Sequence, residues 1–391
     1  MSTAFDVVIV GAGIVGAACA RECAQHGVRT VIVDSGVVGG GATAAGMGHI
    51  VAMDDSPAQL ALTGYSQRLW HEIAAELPGD VEWEPCGTLW IASDDEEMAE
   101  VRRKHRVYAE AGIASEILSA EMLARQEPHL RALAGALLVP RDAVLYPPCA
   151  AAWLLREALR MGAQLLSPRR VLSAAAGRVR LDDGSELHAG RIVNACGAES
   201  PRLTPGLPVR KRRGHLVITD RYPGYVRHQL VELGYLKSAH SVSTDSVAFN
   251  VQPRRTGQLL IGSSREFGAE EPEVNHTLLA AMIRRTQAYL PGIGDLQAIR
   301  VWTGFRAATP DKLPLIGPWP EDETVCLATG HEGLGITTSL ATAKLLANTM
   351  LGRPADIDAA PYLPSRYTRG GPGTNTPSPT EDAHAAEKSH V

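Results

Sequence analysis

The sequence predicts an α/β fold, with a Rossmann-like dinucleotide-binding domain joined to a second domain on a mainly antiparallel sheet. Three observations predict it. A β-branched run near the N-terminus leads into a phased glycine turn and a helix former. Strand-like segments punctuated by turn signals follow from Gly162. A second strand, glycine-rich turn and helix occupies residues 324–351. At roughly 150 residues per domain, 391 residues suit two domains or one large composite unit.

The first element is Asp6-Val-Val-Ile-Val10, apolar and β-branched as a buried parallel strand requires. It runs into Gly11-Ala-Gly13-Ile14-Val15-Gly16 and the helix former 17–25, closed by Gly27. Arg29-Thr-Val-Ile-Val-Asp34 is the second strand, with an acid at its carboxyl end. Each part has a physical task. Gly11 permits the tight turn, Gly13 lets a pyrophosphate reach the backbone, and Gly16 lets helix and strand pack closely. The helix start, with Ile14 and Val15, offers free N–H groups to phosphates. Asp34, followed by Ser35, is placed to accept hydrogen bonds from ribose hydroxyls and disfavours a 2′-phosphate. This unit serves FAD and NAD alike. A second small-residue loop follows it, Gly39-Gly-Gly-Ala-Thr43-Ala44-Ala-Gly46-Met47-Gly48. A segment with so few side chains can lie against a large flat ring and present N–H groups to it.

Composition narrows the class. With 38 Lys+Arg against 43 Asp+Glu, the chain lacks the basic excess that nucleic-acid binding needs. No C-x-x-C pair occurs among Cys19, Cys23, Cys86, Cys149, Cys196 and Cys326, which argues against a zinc ribbon or dithiol centre, and no metal site is expected. Cys19 and Cys23 read as core thiols. The apolar stretch 7–20 has no preceding positive charge and is too short to cross a bilayer, so a cytoplasmic protein without a transmembrane segment is expected.

Further along, residues 58–77 carry Leu62, Tyr65, Leu69, Ile73 and Leu77 at helical spacing. Ser93-Asp-Asp-Glu96 reads as a capping box for a helix whose Arg102, Arg103, Lys104 and Arg106 form a solvated face. A third helix is expected over 148–161. Strands are expected over 164–174, 178–181 and 186–188, the last two joined by the turn Asp182-Asp-Gly184. Arg191-Ile-Val-Asn-Ala-Cys-Gly197-Ala-Glu-Ser200 forms another, and 247–261 is a hairpin broken at 254–257. The run Arg210-Lys-Arg-Arg213 has two readings, a surface turn or a patch that steers a carboxylate or docks an acidic partner. Residues 364–391, rich in Pro, Gly, Ser and Thr, are expected to be a disordered tail.

The glycine loop 39–48, the Ala-x-Gly-Ala-x-Ser ending at Ser200 and the segment Gly304-Phe-Arg306 to Gly317 together resemble the D-amino-acid oxidase family of FAD-dependent oxidoreductases. The resemblance spans about residues 4–362 and implies noncovalent FAD, because relatives with covalent flavin carry a cysteine near the position of Gly304. It implies FAD contacts from Thr43, Ala44, Gly46 and Met47, and from Val171, Gly197, Gly304, Gly330, Gly333, Leu334, Gly335, Ile336 and Thr337. It also implies a discontinuous FAD domain of residues 1–54, 141–205 and 301–363, with 55–140 and 206–300 forming the substrate domain.

The resemblance further makes Arg306 the residue that holds a substrate carboxylate, through two parallel charge-assisted hydrogen bonds. Asn250 and Arg265 fall where glycine oxidase faces its substrate. His49 lies near the flavin, either catalytic or packed beside the loop. Glycine oxidase has an Arg where this chain has Gly333, which favours another amine. The implied reaction is dehydrogenation of an amino or imino acid by hydride transfer from the α-carbon to flavin N5. The segments 46–55 and 330–335 are most similar to bacterial D-hydroxyproline dehydrogenase β-type subunits, which work with partner subunits that pass electrons onward. Two other readings stay open: a stand-alone oxidase of sarcosine- or glycine-type amines, and a flavin electron-transfer subunit.

Overall fold

The computed structural model describes residues 4–233 and 245–367. Two eight-stranded sheets organise them. In the first, Ala4–Val10 lies between parallel neighbours Thr30–Val33 and Glu186–Asn194. Gln164–Leu166 extends the sheet on one side and Asp322–Thr329 on the other, with Leu315–Trp319 antiparallel at that edge. Period-2 alternation buries both faces of the first strand. Val7 and Ile9 pack under the helices Ile14–Gln25, Pro147–Arg160 and Gly335–Met350, while Val8 and Val10 pack under the hairpin Val171–Ala175/Arg178–Leu181.

The second sheet runs in the order Ala298–Ala308, Arg210–Arg221, Gln258–Phe267, Ser246–Pro253, Gln229–Glu232, Thr88–Ala92, Gly135–Val139 and Glu116–Ser119. All its pairings are antiparallel except Gln229–Glu232 with Thr88–Ala92. One face carries Phe249, Val251, Leu259 and Ile261 and is covered by the helix His276–Tyr289, which the sequence reading did not single out. The other face turns Asn250 and Gln252, the alternate residues of the same strand, towards the first sheet's glycine loops.

Several expectations are corrected. The segments at 186–188 and 191–194 are one strand, Glu186–Asn194, which changes partner along its length from the hairpin to the parallel core. Residues 301–308 belong to the second sheet, so the boundary expected at 300 falls inside a strand. Helix Pro57–Ile73 packs on Gly335–Met350 and shares the first core, with Trp70 Nε1 donating to the Thr337 carbonyl over 3.2 Å. The second helix, Asp95–Glu110, is capped by Asp94 rather than Ser93, and Glu97 reaches back to the Ser93 N–H at 2.7 Å. Lys104 is not solvated. It is fully buried, ion-paired with Asp54, and its ammonium lies 4.3 Å from the Trp90 ring centroid.

The basic run 210–213 fits neither reading offered for it. It opens the twelve-residue strand Arg210–Arg221, and Lys211, Arg212 and Arg213 pair with Glu199, Glu332 and Glu266 respectively. At the C-terminus, Pro364–Tyr367 forms a helical turn fixed by the ion pair of Arg366 with Asp311 at 2.6 Å; the rest of the expected tail lies outside the described residues.

Candidate active site

The glycine turn is built by close backbone approach. Gly11 has φ of 108°, and a Cβ on it would lie 2.6 Å from the Ala195 carbonyl oxygen; a Cβ on Gly16 would lie 1.9 Å from that of Gly11. No side chain at either position fits without moving the backbone. The helix Ile14–Gln25 begins at Gly13 with no acidic side chain in its first turn. The Thr43 hydroxyl accepts from the Ile14 N–H at 3.0 Å, and Asp34 accepts from Ala12 N at 2.5 Å and Gly36 N at 2.7 Å. These bonds fix the Asp34 carboxylate at the mouth of the turn with lone pairs to spare.

A cavity of about 860 Å³ opens from this turn and is lined from both sheets. Gly11, Gly13, Ile14, Val15, Asp34 and Ser35 line one end, with Val171 and Gly197. Thr43, Gly46, Met47, His49, Gly304, Gly333, Leu334, Gly335 and Ile336 line it farther along, as do Asn250, Arg265 and Arg306. Four expected contacts do not line it. Gly16 is spent on helix packing, Ala44 points to solvent, Gly330 forms a turn at φ of 78°, and the Thr337 hydroxyl donates to the His49 carbonyl at 2.8 Å.

Arg306 lies on Ala298–Ala308, directly across from Arg212. Its Nη1 donates to the Ser264 carbonyl at 2.9 Å. The guanidinium rests on Gly214, where a Cβ would come within 2.5 Å of Nη1, so only glycine lets it lie flat. Gly333 faces the other side, its Cβ position 3.6 Å from Nε. His49 is held by two side chains from the second sheet: Nδ1 lies 3.2 Å from Gln252 Oε1 and 3.0 Å from Gln229 Nε2. Burial pulls its pKa down to about 4, and the nearby Arg306 charge acts the same way against the Gln252 hydrogen bond, so the ring is neutral near pH 7. Gln252 also donates to the Met47 carbonyl at 2.6 Å, tying the glycine loop to the sheet.

The fit to a dinucleotide is tested by what is left unsatisfied. Asn250 Oδ1, Gln229 Oε1, Gln59 Oε1, Trp90 Nε1 and Asp55 Oδ1 all belong to lining residues, and none has a hydrogen-bond partner among the described residues. Buried polar atoms of this kind are rare unless a ligand or water meets them. Together with the uncapped helix start and the glycine cradle, they suit a large polar ligand. Sequence reading missed Gln229, Gln252, Asp55, Gln59, Trp90 and the pair Arg212–Glu332. Only Gln252 had a local signal, since it stands two residues after Asn250 on one strand and so shares its face. No group of His, Cys, Asp and Glu able to hold a metal, and no helix long and apolar enough to cross a membrane, occurs among the described residues.

Fold and site therefore define a dinucleotide-binding α/β class, and comparison with known proteins gives the family. Residues 6–349 match the family described as DAO, FAD dependent oxidoreductase, and the chain belongs to it. The chain is 28% identical to hydrogen cyanide synthase subunit HcnC of Pseudomonas aeruginosa, over 94% of this chain and 97% of that protein. The structure matches that of glycine oxidase from Geobacillus kaustophilus with a TM-score of 0.83 at 26% identity, covering 94% of this chain and 100% of the other. L-proline dehydrogenase from P. horikoshii shares the fold, with a TM-score of 0.85 at 21% identity over 95% and 100% of the two chains. The protein is an FAD-dependent oxidoreductase.

Proposed function

We propose that this chain is a dehydrogenase of a cyclic secondary amino acid of the D-hydroxyproline or D-proline type, with noncovalent FAD. The observation that carries the reading is Arg306 laid flat on Gly214 inside the cavity, a guanidinium presented to a planar anion. Bound FAD supplies the two-electron acceptor for the substrate's α C–H bond. The chain's own residues position the substrate. Arg306 holds the carboxylate, neutral His49 and Asn250 border the ring, and Arg265 adds positive charge at the same cavity. Gly11, Gly13, Ile14, Val15, Asp34 and Ser35 hold the adenosine and pyrophosphate half, Val171 and Gly197 flank it, and Thr43, Gly46, Met47 and residues 333–336 flank the flavin. The glycine at 333 supports an amine bulkier than glycine, because no side chain covers that flank of Arg306.

We further read the chain as a cytoplasmic protein that passes electrons to a partner subunit. The similar HcnC is by its name a subunit of a synthase. The test is anaerobic mixing of the flavin-loaded chain with cis-4-hydroxy-D-proline, D-proline, sarcosine and glycine, followed by admission of oxygen. Fastest bleaching by the cyclic D-acids and slow reoxidation support the reading. Preference for sarcosine or glycine with rapid peroxide formation replaces it with a stand-alone oxidase, and no reduction by any amine points to an electron-transfer subunit.

A further inference from the structure

Beside Arg306 stands a carboxylate that neither the glycine turn nor the substrate-carboxylate site explains. Glu332 lies in the turn before the helix Gly335–Met350, with φ of 53°, a left-handed conformation unusual for a residue with a Cβ. Its backbone is tied to the strand that carries Arg306: Glu332 N donates to the Ala307 carbonyl at 2.8 Å. Its Oε1 is ion-paired with Arg212, the cross-strand neighbour of Arg306. Two neighbours across adjacent strands share a face, so Arg212, Arg306 and the Glu332 carboxylate gather on one side of the sheet, and all three residues line the cavity. Glu332 Oε2 is buried and has no hydrogen-bond partner among the described residues.

We propose that Glu332 Oε2 takes the N–H of the substrate's α-amine, so that Arg306 and Glu332 read the two ends of the amino-acid group. The inference rests on the proposed amino-acid dehydrogenase reading and adds the residue that recognises nitrogen. The chemistry favours a carboxylate there. The substrate reacts as the neutral amine, its ammonium proton having been released to solvent. As the α C–H bond breaks and its electron pair leaves with the hydrogen to the FAD, the nitrogen lone pair forms the C=N bond and the nitrogen becomes cationic. An acceptor oxygen held beside it is worth more in that state than in the ground state. Arg212, ion-paired with Oε1, orients the carboxylate and is a positioning residue for Glu332.

The test uses two ligands that lack an α-hydrogen and so cannot be oxidised. The flavin-loaded chain is titrated with 2-methylproline and with 1-methylcyclopentanecarboxylate, which has the same acid and ring size without nitrogen, and binding is read from perturbation of the flavin spectrum. The wild type is expected to prefer the amine, and Glu332→Gln to lower that preference by about tenfold, the scale of one charge-assisted hydrogen bond. Arg306→Lys should weaken both ligands alike. With an oxidisable substrate, Glu332→Gln should also slow the limiting rate of flavin reduction and move its pH profile, and Glu332→Asp should restore part of both. An unchanged preference in Glu332→Gln, or a slower rate with an unmoved pH profile, overturns the assignment. Should 2-methylproline not bind while 2-aminoisobutyrate is preferred over pivalate in a Glu332-dependent way, the cyclic substrate falls and the role of Glu332 stands.

Discussion

Arg306 derives its chemistry from glycines that are not adjacent to it in sequence. Gly214 gives the guanidinium a flat bed and Gly333 leaves its flank open, so the carboxylate recognition proposed for Arg306 would depend on two absent side chains. Two outcomes follow. Arg306→Lys should lower kcat/KM for an amino acid by about 100-fold, the worth of a bidentate charged contact, while FAD stays bound; flavin content and steady-state kinetics check it. Gly214→Ala should do similar harm, because its Cβ would meet the guanidinium at 2.5–2.9 Å, and a flavin spectrum like the wild type's would show that the fold survived. Arg306 was legible from the sequence because it lies in a motif. Gly214 and Glu332 were not, since their importance comes from strand register and a turn that bring distant residues side by side.

At the scale of elements, a buried carboxyl ties the helix Pro57–Ile73 to the segment that follows the glycine loop. Asp142 accepts from Gln67 Nε2 at 2.6 Å and from Ala52 N at 3.2 Å, and burial pushes its pKa up to about 7 against those bonds and the charge of Lys104. The folded chain thus holds a proton that the unfolded chain releases near pH 4. Its contribution to stability is fully present below that pH and is lost as pH rises towards 7. Wild-type stability relative to Asp142→Asn should therefore fall by up to about 1.4 kcal/mol per pH unit between pH 4 and 7 and level off above; urea unfolding of both proteins across that range measures it. In the glycine turn, Gly16→Ala would place a Cβ 1.9 Å from the Gly11 carbonyl oxygen, and should yield protein with little bound flavin. The first sheet was readable because its strands and glycines are local patterns. Lys104 was misread because its helix pattern looks amphipathic and basic, and only the tertiary contact with Asp54 and Trp90 shows a buried cation.

At the scale of the whole molecule, two sheets enclose one cavity, and the chain crosses between them several times to build it. The strand Ala298–Ala308 closes the second sheet, and the turn and helix that follow return to the first, so residues 306 and 332–336 come from both halves of the fold. In the proposed reading, a cofactor held by the first sheet would face a substrate held by the second. The central claim is that this chain oxidises an amino acid at its own flavin while Arg306 holds the carboxylate. The most direct test is anaerobic mixing of the flavin-loaded protein with cis-4-hydroxy-D-proline and with its amide, following the oxidised flavin band near ~450 nm. The acid should bleach the flavin at least ~100-fold faster than the amide, and Arg306→Lys should erase most of that difference. A flavin that stays oxidised with the acid, or that bleaches equally with acid and amide, would contradict the account.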